Sequence, residues 1–253
     1  MPLAVVATDA FPGIAAAYVV RVQDETPWSA NERQRLAPAS LTKLMTALLV
    51  VEDGRLDAVT TVSARAASAT GSRIGVRAGE RYRVADLLQA TLVASANDAC
   101  RALAEWQAGS EAAFVARMNR RAADLKLVDT RFRNACGHDA EGHRSSARDL
   151  LDLGVIAMAQ PAIATAVAQV DGRIVPVDGR RTLSFNNRNA LIGRYDGAIG
   201  VKSGYTPNAG TCLIALAERA GVRVWVVLLR ARDRWWDAHG LLDRGFEWAA
   251  RQR

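Results

Sequence analysis

The chain has 253 residues, 50% of them apolar and 23% charged, with a formal net charge of +7. That length suits one large domain or two joined lobes, and no apolar run reaches the roughly 18 residues of a membrane-spanning helix. The positive charge suits an anionic partner, but the arginines are scattered and no basic run carries interleaved aromatics, which argues against nucleic acid.

The stretch from Met1 to Val20 is apolar with no basic residue before Arg21, so it is not a complete secretory signal. Ala15 to Gln23 reads as a strand, and Pro27 to Glu32 as its hairpin partner. Ser40 to Asp53 reads as a helix closed by Gly54. Its interior, Leu44 to Val51, is apolar almost all round, the mark of a buried helix. Thr60 to Arg83 reads as a loop region punctuated by Gly71, Gly75 and Gly79. Helical patterns follow at Val84 to Val93, Ala96 to Gln107 and Ser110 to Leu125. Ser146-Ala147-Arg148-Asp149 fits a capping box opening a helix to about Met158, and Pro161 starts a short one. Arg173 to Val177, Thr182 to Phe185, Ala198 to Tyr205, Thr211 to Glu218 and Arg223 to Leu229 are strand-like, with a turn at Arg219 to Val222. A last helix spans about Arg234 to Ala250. The order predicts an α+β fold: one antiparallel sheet built from both chain ends, with a helical lobe inserted between them. The sheet-bearing lobe takes about residues 1–58 and 168–253, and the helical lobe about 59–167, within a single domain spanning 1–253.

Three lysines, Lys43, Lys126 and Lys202, stand against thirty arginines. Arginine cannot give up its proton in a protein, whereas a desolvated lysine can, so Lys43 and Lys202 are candidates for proton transfer or a compact charge. In Ser40-Leu41-Thr42-Lys43, helical spacing brings the amine to the hydroxyl, and the helix start offers unpaired N–H groups to an oxyanion. Burial would lower the Lys43 pKa from about 10.4 toward roughly 7–8, where it serves as a base. Alone, Ser40 also reads as an N-cap and Lys43 as a side chain reaching solvent. Ser95-Ala96-Asn97 lies at a break between helical patterns; serine can relay a proton and asparagine can bind an amide. Lys202-Ser203-Gly204 ends a strand before Tyr205-Thr206, offering a cation, a hydroxyl and a residue without a side chain for close approach.

In order S-x-x-K, S-x-N, K-[ST]-G, these three pieces make the set found in penicillin-binding proteins and class A β-lactamases. With Ala108-Gly109-Ser110-Glu111, Ser145 to Leu150, Asn187-Arg188-Asn189, Gly200 to Thr206 and Leu241 to Phe246, the chain resembles a D-alanyl-D-alanine carboxypeptidase over nearly its whole length. The resemblance implies a penicillin-binding protein/β-lactamase-like fold, with an antiparallel sheet flanked by helices beside an all-helical lobe. It implies that a DD-carboxypeptidase removes the terminal D-alanine of peptidoglycan stem peptides through an acyl-enzyme on Ser40 and is acylated by β-lactams. Lys43 would be the base and Ser95 the proton relay. Asn97 would bind the substrate amide, and the backbone N–H groups of Ser40 and Tyr205 the oxyanion. Lys202, Ser203, Thr206 and Arg234 would hold the terminal carboxylate beside Gly204, with Arg188 assisting. No metal or organic cofactor is implied, and the location would be periplasmic or otherwise extracytoplasmic. Two departures stand out: Lys-Ser-Gly replaces the usual Lys-Thr-Gly, and Cys136-Gly137-His138 stands where a Thr-Gly-Leu or His-Gly-Leu sequence is usual. The sequence ends at Arg253 with neither the C-terminal β-domain nor the amphipathic anchor of many relatives.

A DD-endopeptidase of the same family, a β-lactamase and a non-catalytic penicillin-binding module are the alternatives. No glutamate stands in the Glu-x-x-Asn setting that class A β-lactamases use for deacylation. A Ser-His-Asp triad through His138, His143 or His239 has no support, and the spacing of Cys136, His138 and His143 fits no closed zinc pattern. The odd cysteine count, Cys100, Cys136 and Cys212, predicts three thiols with at least two buried, one bridge being compatible with it. Trp225, Trp235 and Trp236 read as core and lobe packing.

Overall fold

A computed structural model of the chain describes residues 9–252; the first eight residues of the apolar N-terminal stretch, and Arg253, lie outside the described residues. The chain opens with strands β1 (Ala15–Val22) and β2 (Glu25–Ala30), then a 3-10 turn at Ala39–Thr42 and helix α1 (Lys43–Glu52). A helix-rich middle follows: β3 (Val59–Thr61), α2 (Ala64–Ala67), β4 (Arg81–Arg83), α3 (Val84–Val93), α4 (Asn97–Ala108), α5 (Glu111–Asp124), α6 (Ala147–Met158) and α7 (Pro161–Val167). The last part holds β5 (Asp171–Ile174), β6 (Leu183–Asn186), β7 (Ala198–Thr206), β8 (Gly210–Arg219), β9 (Val222–Ala231) and α8 (Arg234–Arg251).

The main sheet is antiparallel, in the order β2-β1-β9-β8-β7, so both ends of the described chain meet in it. Val19 of β1 stands opposite Val227 of β9, which stands opposite Ile214 of β8. Alternation sorts the side chains. Ala17, Val19, Ile214, Trp225 and Val227 face a core shared with Leu41, Leu44, Met45 and Leu48. Tyr18, Val20, Leu213, Val226 and Leu228 face Ala238, Leu241 and Leu242 of α8. A sheet covered on both faces has no need of polar alternation, which is why β9 reads as the apolar run Val-Trp-Val-Val-Leu-Leu. Helix α1 is buried from Lys43 to Val50 and touches α3, α4 and α6. Helix α6 also packs on β1 and β9, so one helix of the middle segment belongs to the wall of the sheet. Among the described residues no single helix is long and apolar enough to cross a membrane.

Several elements differ from the sequence expectation. The Thr60–Arg83 region is not all loop: β3 and β4 pair there, with α2 between them. The strands expected near Arg173 and Thr182 do not join the main sheet; β5 and β6 pair with each other and lie on α3. The capping box at Ser146 is half made. Ser146 Oγ accepts from Asp149 N at 3.2 Å, but the Asp149 carboxylate accepts from Asp129 N and Thr130 Oγ1 instead of turning back. The cysteines are not three thiols: Cys100 and Cys136 are bonded to each other, and Cys212 is free and buried.

Candidate active site

Ser40 does not sit on an α-helix. It lies in the 3-10 turn Ala39–Thr42, and α1 begins only at Lys43. Ala39 enters the turn at φ +49°, a left-handed conformation that costs a non-glycine residue about 1–3 kcal/mol and persists only where the surroundings fix it. Two glycines do so. A Cβ on Gly204 would come within 2.9 Å of the Ser40 nitrogen, and a Cβ on Gly137 within 2.8 Å of the same atom. The turn carrying Ser40 is therefore held between edge strand β7 and the loop after Cys136, and neither glycine can be replaced without moving it.

The Lys43 side chain is fully buried. Its Nζ lies 3.0 Å from Ser40 Oγ and donates to the Cys136 carbonyl at 2.6 Å. Burial pushes its pKa well below the usual lysine value, and the charge of Lys202 pushes the same way. A neutral amine in hydrogen-bond reach of a hydroxyl can take its proton. Lys202 lies on β7, also buried, with Nζ donating to Ser203 O at 2.9 Å. Burial, then the charges of Arg234 and Arg188, lower its pKa to about 7.

Ser95 and Asn97 flank the junction of α3 and α4, where Ser95 has φ +56°. Asn97 Nδ2 donates to Thr70 O at 2.6 Å and lies 3.2 Å from His138 Nε2, while its buried Oδ1 has no partner among the described residues. The next residue, Asp98, is fully buried and anchors the facing loop by accepting from Gly75 N at 2.8 Å and Val76 N at 3.2 Å. That loop carries Ser72, whose carbonyl accepts from Asn97 N at 2.7 Å.

Ser40, Ser95, Ser203, Gly204 and Tyr205 line one cleft of about 440 Å³, and Arg188 and Arg234 line it too. Lys43, Lys202 and Asn97 are buried beside these residues. Ser203 Oγ donates to Arg188 O at 3.0 Å, which ties the Arg188 backbone to β7. Arg234 opens α8, whose N-cap Asp233 accepts from Trp235 N at 3.1 Å. Its guanidinium donates to Gly204 O at 2.5 Å and stacks 4.7 Å from the Trp235 ring centre.

Thr206 is the exception among the sequence-predicted residues. Its hydroxyl donates to Asp139 Oδ1 at 2.6 Å and accepts from Ala209 N at 3.0 Å, so it fastens the turn after β7 to the 136–143 loop and does not line the cleft. Of the tryptophans, Trp225 is core and Trp235 packs on the cluster beneath α8 while also lining the cleft, but Trp236 is 79% exposed and packs in neither. Sequence reasoning also missed Ser72, Asn187 and Arg194 in the cleft wall and the Cys136 carbonyl beside Lys43. Backbone carbonyls leave no mark in a residue pattern; the only local signal was Gly137, which permits the close approach. His143 is structural: Nδ1 accepts from Arg133 N at 2.9 Å, leaving Nε2 to face Thr42 Oγ1 at 2.9 Å, and burial lowers its pKa to about 4.

Comparison with known proteins identifies the family. The sequence profile of the peptidase S11 family, described as D-alanyl-D-alanine carboxypeptidase, matches residues 10–233. The chain is 36% identical to the D-alanyl-D-alanine carboxypeptidase DacF of Bacillus subtilis, over 86% of this chain and 57% of that protein. It is 31% identical to DacB2 of Mycobacterium tuberculosis, over 92% of this chain and 83% of that protein. The chain thus spans little more than half the length of DacF and most of the length of DacB2. Among solved structures, the Streptomyces K15 DD-transpeptidase superposes with a TM-score of 0.86 at 27% identity, covering 93% of this chain and 98% of that one. With the family profile matching residues 10–233 and a relative 31% identical over most of both chains, the chain belongs to the D-alanyl-D-alanine carboxypeptidase family.

Proposed function

We propose that this chain is a serine DD-carboxypeptidase that removes the terminal D-alanine from peptidoglycan stem peptides and is acylated by β-lactams. The observation that carries the reading is the fully buried Lys43 amine 3.0 Å from Ser40 Oγ, in a cleft walled by β7. The neutral Lys43 takes the hydroxyl proton as Ser40 Oγ attacks the carbonyl carbon of the penultimate D-alanine. The backbone N–H groups of Ser40 and Tyr205 receive the oxyanion; β7 is an edge strand, so its outer side has no partner strand among the described residues. Ser95 passes the proton to the departing D-alanine amine, and water then hydrolyses the acyl-enzyme. Asn97 offers its unpartnered Oδ1 to a substrate N–H. Lys202, Ser203 and Arg234 take the terminal carboxylate, and Arg188 adds charge at the same end. Thr206 has no part in that grip, because Asp139 occupies its hydroxyl.

The sheet with α6 and α8 forms one lobe and the other inserted helices another, the cleft running along β7 and the α3–α4 junction. An extracytoplasmic location follows from this substrate class and suits a chain with a Cys100–Cys136 disulfide. The test is D-alanine release from a cell-wall pentapeptide, repeated with a glycine or amine acceptor and with a crosslinked peptide dimer. Free D-alanine with no transfer product supports the carboxypeptidase reading. Transfer product in excess makes the chain a transpeptidase, and cleavage of the dimer alone makes it an endopeptidase.

A further inference from the structure

Cys100 and Cys136 are bonded across a sequence separation of 36 residues, with their Cα atoms 6.0 Å apart. Both are buried, and no acyl-transfer step uses either side chain. Cys100 sits on α4 one helical turn after Asn97. The carbonyl of Cys136 accepts from Lys43 Nζ at 2.6 Å. The next residue, Gly137, has φ +89° and packs on the backbone of Ala39 and Ser40. One covalent link therefore joins the helix that carries Asn97 to the loop that braces both Ser40 and Lys43. Within the loop, Asn134 Oδ1 accepts from Cys136 N at 3.3 Å, Gly137 N at 2.7 Å and His138 N at 3.0 Å, so it shapes the turn, while Ala135 ties the loop to α1 and α5: Thr46 Oγ1 donates to Ala135 O at 2.6 Å and Ala135 N donates to Glu111 at 3.2 Å.

We propose that the Cys100–Cys136 bond is a positioning element for acyl transfer, fixing the Cys136 carbonyl that aims the Lys43 amine at Ser40, so that the competent base forms only in the oxidised chain. This rests on the acyl-enzyme chemistry proposed above. A neutral primary amine has two N–H bonds and one lone pair. With one N–H given to Cys136 O, the lone pair can face the Ser40 hydroxyl; if the carbonyl swings away, the amine is free to rotate. A misplacement of about 1 Å at a reacting group costs on the order of 100-fold in rate. Forming the bond removes two protons and two electrons from the two thiols. A disulfide-bearing oxidant accepts them by thiol–disulfide exchange and leaves as a dithiol. A buried cystine resists later reduction, so this is a maturation step and not a reversible switch.

The test compares the full chain with Cys100→Ala, Cys136→Ala and the double variant. Penicillin acylation of Ser40 is followed by quenched-flow and intact mass, resolved into a binding constant and a first-order acylation constant. Each variant is expected to lose roughly 10–100-fold in the acylation constant with binding within about twofold, and the double to be no worse than either single, because the link acts as a unit. The acid limb of the rate profile should move up in pH, since a loosened loop lets water reach Lys43 and restores its charge. The other titratable groups facing Lys43, namely Lys202 on β7 and His138 on the loop, are unaltered in these variants. Circular dichroism at the assay temperature checks folding; where a variant is unfolded, the parent reduced in mild urea and assayed before reoxidation takes its place. Acylation at the parent rate with an unchanged profile overturns the proposal. So does a loss confined to binding, or an active parent whose Cys100 and Cys136 alkylate without reductant. A parent that does not acylate at Ser40 refutes the proposed function instead.

Discussion

At Lys43 charge and basicity can be separated. Arginine keeps the charge and the length but cannot act as a base near neutral pH. Lys43→Arg is therefore expected to slow penicillin acylation nearly as much as Lys43→Ala, by about 100-fold or more, the usual scale of general-base catalysis. An arginine variant acylating at close to the parent rate would make Lys43 structural. Lys202 has the opposite task in the proposed mechanism, to stay charged. With its pKa lowered to about 7, it loses its proton as pH rises through that value. The kcat/KM for peptide should then fall above about pH 7, and Lys202→Arg should remove that basic limb; the pH–rate profiles of the two proteins check it. Arg234 is proposed to grip the same carboxylate. Arg234→Ala should cost about 10–100-fold in kcat/KM for peptide, from a charge-assisted bond of roughly 1.5–3 kcal/mol, and less for penicillin, which is rigid and intrinsically reactive. An equal loss on both substrates would point to a general collapse of the site, since Arg234 also holds Gly204 O.

The elements hold these side chains through a few fastenings that can be loosened one at a time. His143 links the 133–143 loop to Thr42, beside the base. Its pKa falls from 6.5 unfolded to about 4 folded, so between those values the unfolded chain binds more protons. Stability tied to His143 is full above about pH 6.5 and is lost as pH falls toward 4, by roughly 2–3 kcal/mol. Urea unfolding at pH 7 and pH 4.5 should show that loss in the parent and a smaller one in His143→Gln; equal losses would remove His143 as the source. Gly204 is a second fastening. A side chain there meets the Ser40 turn, so Gly204→Ala should slow acylation while leaving the fold intact, read as lost labelling with unchanged circular dichroism. Much at this scale was legible in the residues. Apolar runs gave β9 and α1, the last helix was placed from about Arg234, and the three short motifs picked out the cleft. What was not legible depended on pairing at a distance. The 3-10 turn at Ser40 is imposed by Gly204 and Gly137, which are remote in sequence. The β5–β6 pair is set apart by packing on α3, which no local pattern encodes. Cysteine spacing alone could not choose a partner for Cys100.

On the scale of the whole molecule, the sheet brings β1 beside β9 and places β7 at the edge, against the turn that precedes α1. The proposed nucleophile, relay and carboxylate grip thus come to one cleft from three distant parts of the chain. That order of motifs could be read from the sequence, but Thr206 could not be assigned from it, because its side chain turns to Asp139 only in three dimensions. Ser40 is the group expected to become acylated. The most direct measurement is intact-mass analysis of the purified chain after exposure to penicillin, with the adduct mapped by peptide digestion in the parent and in Ser40→Ala. The expected result is one adduct of the antibiotic's mass on the peptide bearing Ser40, absent from the variant. An adduct on another residue, or labelling that survives the substitution, would contradict it.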